Sequence, residues 1–257
     1  MDVDVIIPVF NGARFVEHAV ASVQAQTVDV VRQIICVDDG SSDESRDVLE
    51  RLASADPRLT VLAQETNLGV AAARNRAVRH GDAALVAFLD HDDEWLPDKL
   101  AAQLEALEQE PDLGYVVGQQ QMVLDPGAVR PAWCLPEWLQ TPQKGFLPST
   151  LVVRRGCFEH VGPLEERFRA GGDDSDWFAR ARRLGVPFRH LDRVGVLAGV
   201  LGEIREAGWN VQEMENLVFE GAEAACARLR IEGDPDEATL DRIRAVHHVL
   251  NATAIAL

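Results

Sequence analysis

Long apolar runs are missing from this sequence. Its longest ones, such as Val194 to Leu201, fall far short of the roughly 20 residues that a bilayer span requires, so no transmembrane segment is expected. Positive charge is also scarce. Lys and Arg number 25 against 42 Asp and Glu, a formal charge of −17, and such a field opposes nonspecific attraction to nucleic acid or anionic lipid. No nucleic-acid partner is therefore expected. Cysteine is limited to Cys36, Cys134, Cys157 and Cys226. They form no Cys-x-x-Cys pair, which argues against a structural zinc or a disulfide framework. The start, Met1-Asp2-Val3-Asp4, lacks the basic region and apolar core of a signal peptide, and a cytoplasmic location is the default expectation. There is no internal repeat and no low-complexity tract.

What is present is an alternation. Val3 to Val9 is a continuous apolar strand, and Phe15 to Ala25 then carries Phe15, Val16, Ala19, Val20 and Val23 at helical spacing. The pattern repeats with a strand over Gln33 to Val37 and a helix over Ser45 to Ala55, entered through the capping box Ser41-Ser42-Asp43-Glu44. Leu59 to Ala63 reads as a strand, Val70 to Arg79 as an Ala-rich helix and Ala83 to Leu89 as another buried strand. Further on come a helix from Pro97 and Asp98 to Gln109, a strand over Gly114 to Gln120, an irregular Pro-rich excursion over Asp125 to Gly145, a strand over Leu151 to Val153, helices over Arg155 to His160 and Ser175 to Leu184, and a strand over Val186 to Leu191. Two helical stretches, Val211 to Arg230 and Asp236 to Ala256, close the chain. Buried strands alternating with helices imply an α/β fold whose mostly parallel sheet is covered on both faces. At 257 residues the chain fits one large domain with additions.

Ligands of such sheets gather outside the carboxyl ends of the strands. The loops expected there are Phe10-Asn11-Gly12, Asp38-Asp39-Gly40, Glu65 to Gly69, and Leu89-Asp90-His91-Asp92-Asp93. The last crowds three carboxylates at a strand end, where they repel one another unless a cation sits among them. Mg²⁺ or Mn²⁺ suits such oxygen donors, and Mg²⁺ is usually held by one or two carboxylates plus substrate phosphates. A solvated acidic loop that only caps a helix is the alternative.

The ordered segments Val5-Ile6-Ile7-Pro8-Val9-Phe10-Asn11-Gly12, Val37 to Asp43, Asn67 to Asn75 and Phe88 to Trp95 resemble the nucleotide-binding half of the family 2 glycosyltransferases with the GT-A fold. A fifth segment, Gly172-Asp173-Asp174-Ser175-Asp176-Trp177, resembles the acidic motif on that family's acceptor side. The resemblance implies a Rossmann-like GT-A domain over 1–210, divided into a nucleotide-sugar-binding half (1–100) and an acceptor half (101–210), with a C-terminal helical extension over 211–257. It implies transfer of a sugar from a nucleotide diphosphate donor, a UDP-sugar first among them, to a glycan, lipid-linked sugar, peptide or small molecule, with inversion at the anomeric carbon.

The resemblance also distributes roles. Pro8 and Phe10 would wall the base, with Asn11 in the same loop; Asp39 would accept from the uracil ring N–H; Arg74 would approach the base or diphosphate. Asp90 would reach the ribose beside His91, and Asp92 would ligate Mn²⁺ or Mg²⁺. Asp174 is the candidate general base and Asp173 the runner-up, one of them capping the following helix. One departure stands out. Where relatives carry Arg-x-His-x-x-Asn, this chain has Arg205-Glu206-Ala207-Gly208-Trp209-Asn210, so Ala207 replaces an imidazole. That keeps a second reading open, a noncatalytic nucleotide-sugar-binding homologue. A nucleotidyltransferase is disfavoured because the first loop lacks a Gly-rich basic phosphate cradle.

Overall fold

A computed structural model describes residues 1–124, 130, 134–168, 172–200, 211–217 and 226–231. The first strand, β1 (Val3–Val9), is buried along its whole length. It pairs in parallel with β2 (Val31–Asp38) on one side and β4 (Leu85–Phe88) on the other, and β2 pairs in parallel with β3 (Leu59–Ala63). Helices α1 (Val16–Gln24), α2 (Ser45–Ala55) and α3 (Val70–His80) connect these strands. Because both faces of the sheet are covered, the strands read as unbroken apolar runs. Val5 and Ile7 enter one cluster with Val20, Leu49 and Leu104, while Ile6 enters the other with Ala73, Phe158 and Trp177.

Beyond β4 the sheet turns antiparallel. The two-residue β5 (Glu94–Trp95), helix α4 (Lys99–Gln109), β6 (Tyr115–Leu124), β7 (Gln143–Lys144), β8 (Val152–Arg154), helices α5 (Arg155–Val161) and α6 (Asp173–Arg183), and β9 (Phe188–Val200) follow in chain order. The sheet runs β3-β2-β1-β4-β8-β6-β9-β5, with β7 on β6. Strand β8 pairs antiparallel with both β4 and β6. Its entry, Pro148–Thr150, therefore lies at the same sheet edge as the carboxyl ends of β1 to β4.

Two compact units divide the chain. One comprises Met1–Val123 with Gln140–Gly199, the other Leu124–Leu139 with Val200–Leu257. In the second, β10 (Val211–Leu217) and β11 (Cys226–Ile231) form an antiparallel pair. This corrects the helix expected over 211–230. Glu, Ala and Arg favour helices, but Ala227, Leu229 and Ile231 alternate with Arg228 and Arg230, a period of two. The register sets Glu213 opposite Arg230 and Glu215 opposite Arg228, the opposite-charge pairing that supports a strand ladder. The helix expected over 236–256 lies outside the described residues. No described helix is long and apolar enough to cross a membrane.

Candidate functional site

The loops after β1 and β2 are laced together. Amide N–H groups of Asn11 and Gly12 donate to Ser41 Oγ and Ser45 Oγ at 3.0 and 2.8 Å, and Ala13 donates to Asp43 Oδ2 at 3.1 Å. In return Ser42 donates from its backbone to Asn11 Oδ1 at 2.8 Å. Asn11 adopts φ +49°, a left-handed conformation that asparagine tolerates. The expected capping box does not form: the Ser41 and Ser42 hydroxyls serve the Asn11 loop, and it is Asp43 whose Oδ1 accepts from the Ser45 amide at the start of α2, at 3.0 Å. Gly12 is required by His91, since a Cβ there would stand 2.3 Å from His91 Cδ2. Pro8 is buried in β1, and Phe10 is 42% exposed at the strand's end.

Both acidic residues after β2 are buried, with different partners. Asp38 Oδ1 accepts from the Ser41 amide at 3.0 Å. Asp39 accepts from Gln64 Nε2 at 2.5 Å and from the amides of Leu68 and Gly69 at 2.8 and 2.9 Å. It thereby ties down the loop after β3, in which Leu68 is 44% exposed.

The acidic turn after β4 hangs on two anchors that lie far away in sequence. Ser149 Oγ accepts from the Asp90 amide at 3.0 Å and hydrogen-bonds to the Asp93 carboxyl. Asp93 Oδ1 also accepts from the Gly199 amide on β9 at 2.9 Å. Burial, reinforced by Asp90 and Asp92, pushes the Asp93 carboxyl well above the usual range. Asp92 is likewise raised by burial, against His91 and together with Asp90. Among the described residues, no basic side chain pairs with Asp92, and no three His, Cys, Asp or Glu converge on one point. What Asp92 offers is one oxygen-donor carboxylate in a crowd of negative charge. That suits a hard Mg²⁺ or Mn²⁺ ion whose other ligands are phosphate and water, and not a zinc site of several protein ligands.

Arg74 on α3 joins this turn to the second acidic motif. Its Nη2 donates to Asp90 Oδ1 at 2.5 Å and its Nη1 to Asp173 Oδ2 at 2.8 Å. Asp173 is the first residue of α6, so both members of the acidic pair lie in its first turn, and the Asp173 carboxylate makes no cap bond because it is committed to Arg74. Asp174 accepts from the Ser175 amide at 2.6 Å. Its carboxyl is raised by burial, with Asp173 and Asp90 adding to the shift and Arg74 opposing it. It is the one charged member of a crevice lined by Phe88, Pro148, Leu151, Phe158, Trp177 and Phe178.

Ala207 lies outside the described residues. Ser149, Gly199 and the structural duty of Asp93 escaped the sequence reading. For Asp93 the doublet itself was a signal; Ser149 and Gly199, 59 and 106 residues from their partners, gave none.

The family described as Glycosyl transferase family 2 matches residues 4–158. TuaG of Bacillus subtilis (strain 168), named as a putative teichuronic acid biosynthesis glycosyltransferase, is 44% identical over 103 residues, 40% of this chain and 40% of its own. WfgD of Escherichia coli, a UDP-Glc:alpha-D-GlcNAc-diphosphoundecaprenol beta-1,3-glucosyltransferase, is 34% identical over 105 residues, 41% of this chain and 40% of its own. The chain thus spans about two fifths of the length of these relatives. The crystal structure of S. aureus TarS 1-349 in complex with UDP matches with a TM-score of 0.61 at 20% identity, covering 78% of this chain and 61% of that one. The shared architecture is the GT-A fold.

Proposed function

The chain belongs to glycosyl transferase family 2, and on that premise we propose that it moves a sugar from a nucleotide diphosphate donor to an acceptor hydroxyl, with a divalent cation on Asp92 and Asp174 as general base. The observation that carries the proposal is the convergence at Arg74. It draws the turn holding Asp92 and the helix holding Asp174 to one guanidinium, although its two partners lie 16 and 99 residues away in sequence. UDP is the preferred nucleotide, because WfgD is named for UDP-Glc and TarS was crystallised with UDP.

In the reaction the acceptor oxygen uses a lone pair to bond the anomeric carbon on the face opposite the diphosphate. The carbon–oxygen bond to phosphate breaks and its electron pair leaves with the diphosphate; the acceptor proton passes to the Asp174 carboxylate. The configuration is inverted. Burial raises Asp174 toward working pH, which improves a general base. The walls of its crevice exclude water that would otherwise compete with the acceptor. Asp92 would hold the divalent cation, which when bound would supply Lewis-acid stabilisation of the charge that grows on the departing diphosphate. Phe10 and Pro8 form an apolar flank for the base.

The test pairs two variants. Asp174→Asn keeps UDP affinity within about threefold and lowers transfer by about 10² to 10⁴, the usual worth of a positioned base. Asp92→Ala abolishes the part of UDP affinity that depends on Mn²⁺ or Mg²⁺. Parental turnover by Asp174→Asn refutes the base assignment. UDP binding without transfer across a panel of sugars and acceptors establishes the noncatalytic homologue instead.

A further inference from the structure

Among the described residues, Arg74 is the only buried arginine, with 5% of its side chain exposed. Its charge is permanent and its donors are fixed in a planar fork. Burial works against that charge, and Asp90 and Asp173 more than offset the effect. Each bonded nitrogen serves a different segment: Nη2 the turn after β4, Nη1 the first residue of α6. The buried Nε has no partner, and the two bonds use two of the five N–H donors of the guanidinium. Asn75, the next residue, strengthens the same link. Its side chain donates to Leu164 O at 2.8 Å and accepts from the Leu164 amide at 2.9 Å, holding the chain that leads into α6. Two successive residues of α3 therefore grip both ends of segment 164–173.

We infer that Arg74 is a positioning residue that locks the donor turn and the start of α6 into one register, so that Asp174 is aimed at the sugar by a link through Asp173, Arg74 and Asp90. This rests on the proposed role of Asp174. It differs from the direct base or diphosphate contact that the family resemblance implies, because each outer nitrogen of the fork already bonds a protein carboxylate. Lysine cannot replace it. A single ammonium is a point charge without the fork that spans two carboxylates.

The experiment uses the full chain with Arg74→Lys, Asp173→Asn and the double variant. UDP affinity with Mn²⁺, kcat and KM for transfer, and amide hydrogen exchange over 90–95 and 173–178 without ligand are measured. Arg74→Lys should keep UDP affinity within about threefold and lower kcat about 100-fold, as misplacement by about 1 Å does. The double variant should fall no more than about threefold below the worse single variant, since residues acting as a unit are not additive. Exchange should quicken in both segments. An unchanged kcat, multiplicative losses, or faster exchange in one segment alone overturns the inference. If the parent chain neither binds UDP nor transfers, the functional reading fails by itself, and the paired exchange readout still decides the link. Should Arg74→Lys not fold, Asp173→Asn gives the same readout.

Discussion

Replacing Asp39 by alanine separates a loop tie from a base contact. Asp39 is 3% exposed and accepts three hydrogen bonds, from Gln64 and from the amides of Leu68 and Gly69. A carboxylate has about four lone-pair positions, so one is left for a base N–H. In Asp39→Ala the buried Gly69 amide is stranded, at a cost of about 1–3 kcal/mol. The more exposed Leu68 amide and Gln64 side chain regain water and lose about 0.5–1.5 kcal/mol each. The total is about 4 kcal/mol at the middle of these ranges, which for a chain of this size lowers Tm by roughly 8–16 °C. Differential scanning calorimetry reads the first arm, and a Tm within 2 °C of the parent, on the same scale, refutes the tie. Titration with UDP and CDP reads the second. Uracil has an N–H at ring position 3 and cytosine does not, so UDP should lose about tenfold more affinity than CDP if the fourth lone pair serves the base. Equal losses refute that contact.

Two further outcomes follow from burial and from space. Lys99 is buried, donates to Gln103 Oε1 at 2.8 Å, lies 3.9 Å above the Trp95 ring, and is pushed well below the usual lysine range by desolvation. Between that depressed value and about 10.4 the unfolded chain binds one proton more than the folded one, so stability rises with pH by about 1.4 kcal/mol per unit through this window. Lys99→Met should abolish that slope in urea unfolding, and an unchanged slope contradicts the assignment. A Cβ on Gly199 would stand 2.2 Å from the Asp92 carbonyl oxygen. Gly199→Ala should therefore cost about 1–3 kcal/mol by overpacking and weaken Mn²⁺-dependent UDP binding; parental values for both rule out the close approach.

The parallel half of the fold was legible because each strand is a continuous apolar run and each following loop carries polar residues and glycine. Helix α2 and strand β3 fall on the residues that periodicity assigns them. The antiparallel half was less so. Strand β9 extends to Val200, although only Val186 to Leu191 read as a strand, because the exposed Asp192 and Arg193 interrupt the pattern before the apolar run that begins at Val194. Strand β5 has two residues and no period to detect. The insertion of β8 between β4 and β6 joins residues some 60 positions apart, a choice that local propensity does not encode. The site followed the same division. Motif residues could be named, Asp90 and Asp173 among them, but their pairing with Arg74 and the anchors Ser149 and Gly199 are tertiary features without local signature.

Three Asp-Asp doublets mark this chain, and the structure divides the labour within each. In Asp92-Asp93, Asp93 is spent on Ser149 and Gly199 while Asp92 pairs with no basic group. In Asp173-Asp174, Asp173 is spent on Arg74, and Asp174 accepts only from the adjacent amide. In Asp38-Asp39 the heavier structural duty falls on the second member, with three donors against one. A buried carboxylate needs donors or a cation to remain charged. The member that protein donors already satisfy gains little from a ligand, whereas the unsatisfied one gains most. By this reasoning Asp92 and Asp174 are the carboxylates whose environment a cation and an acceptor hydroxyl would most improve, and each stands beside the neighbour that anchors its turn or helix.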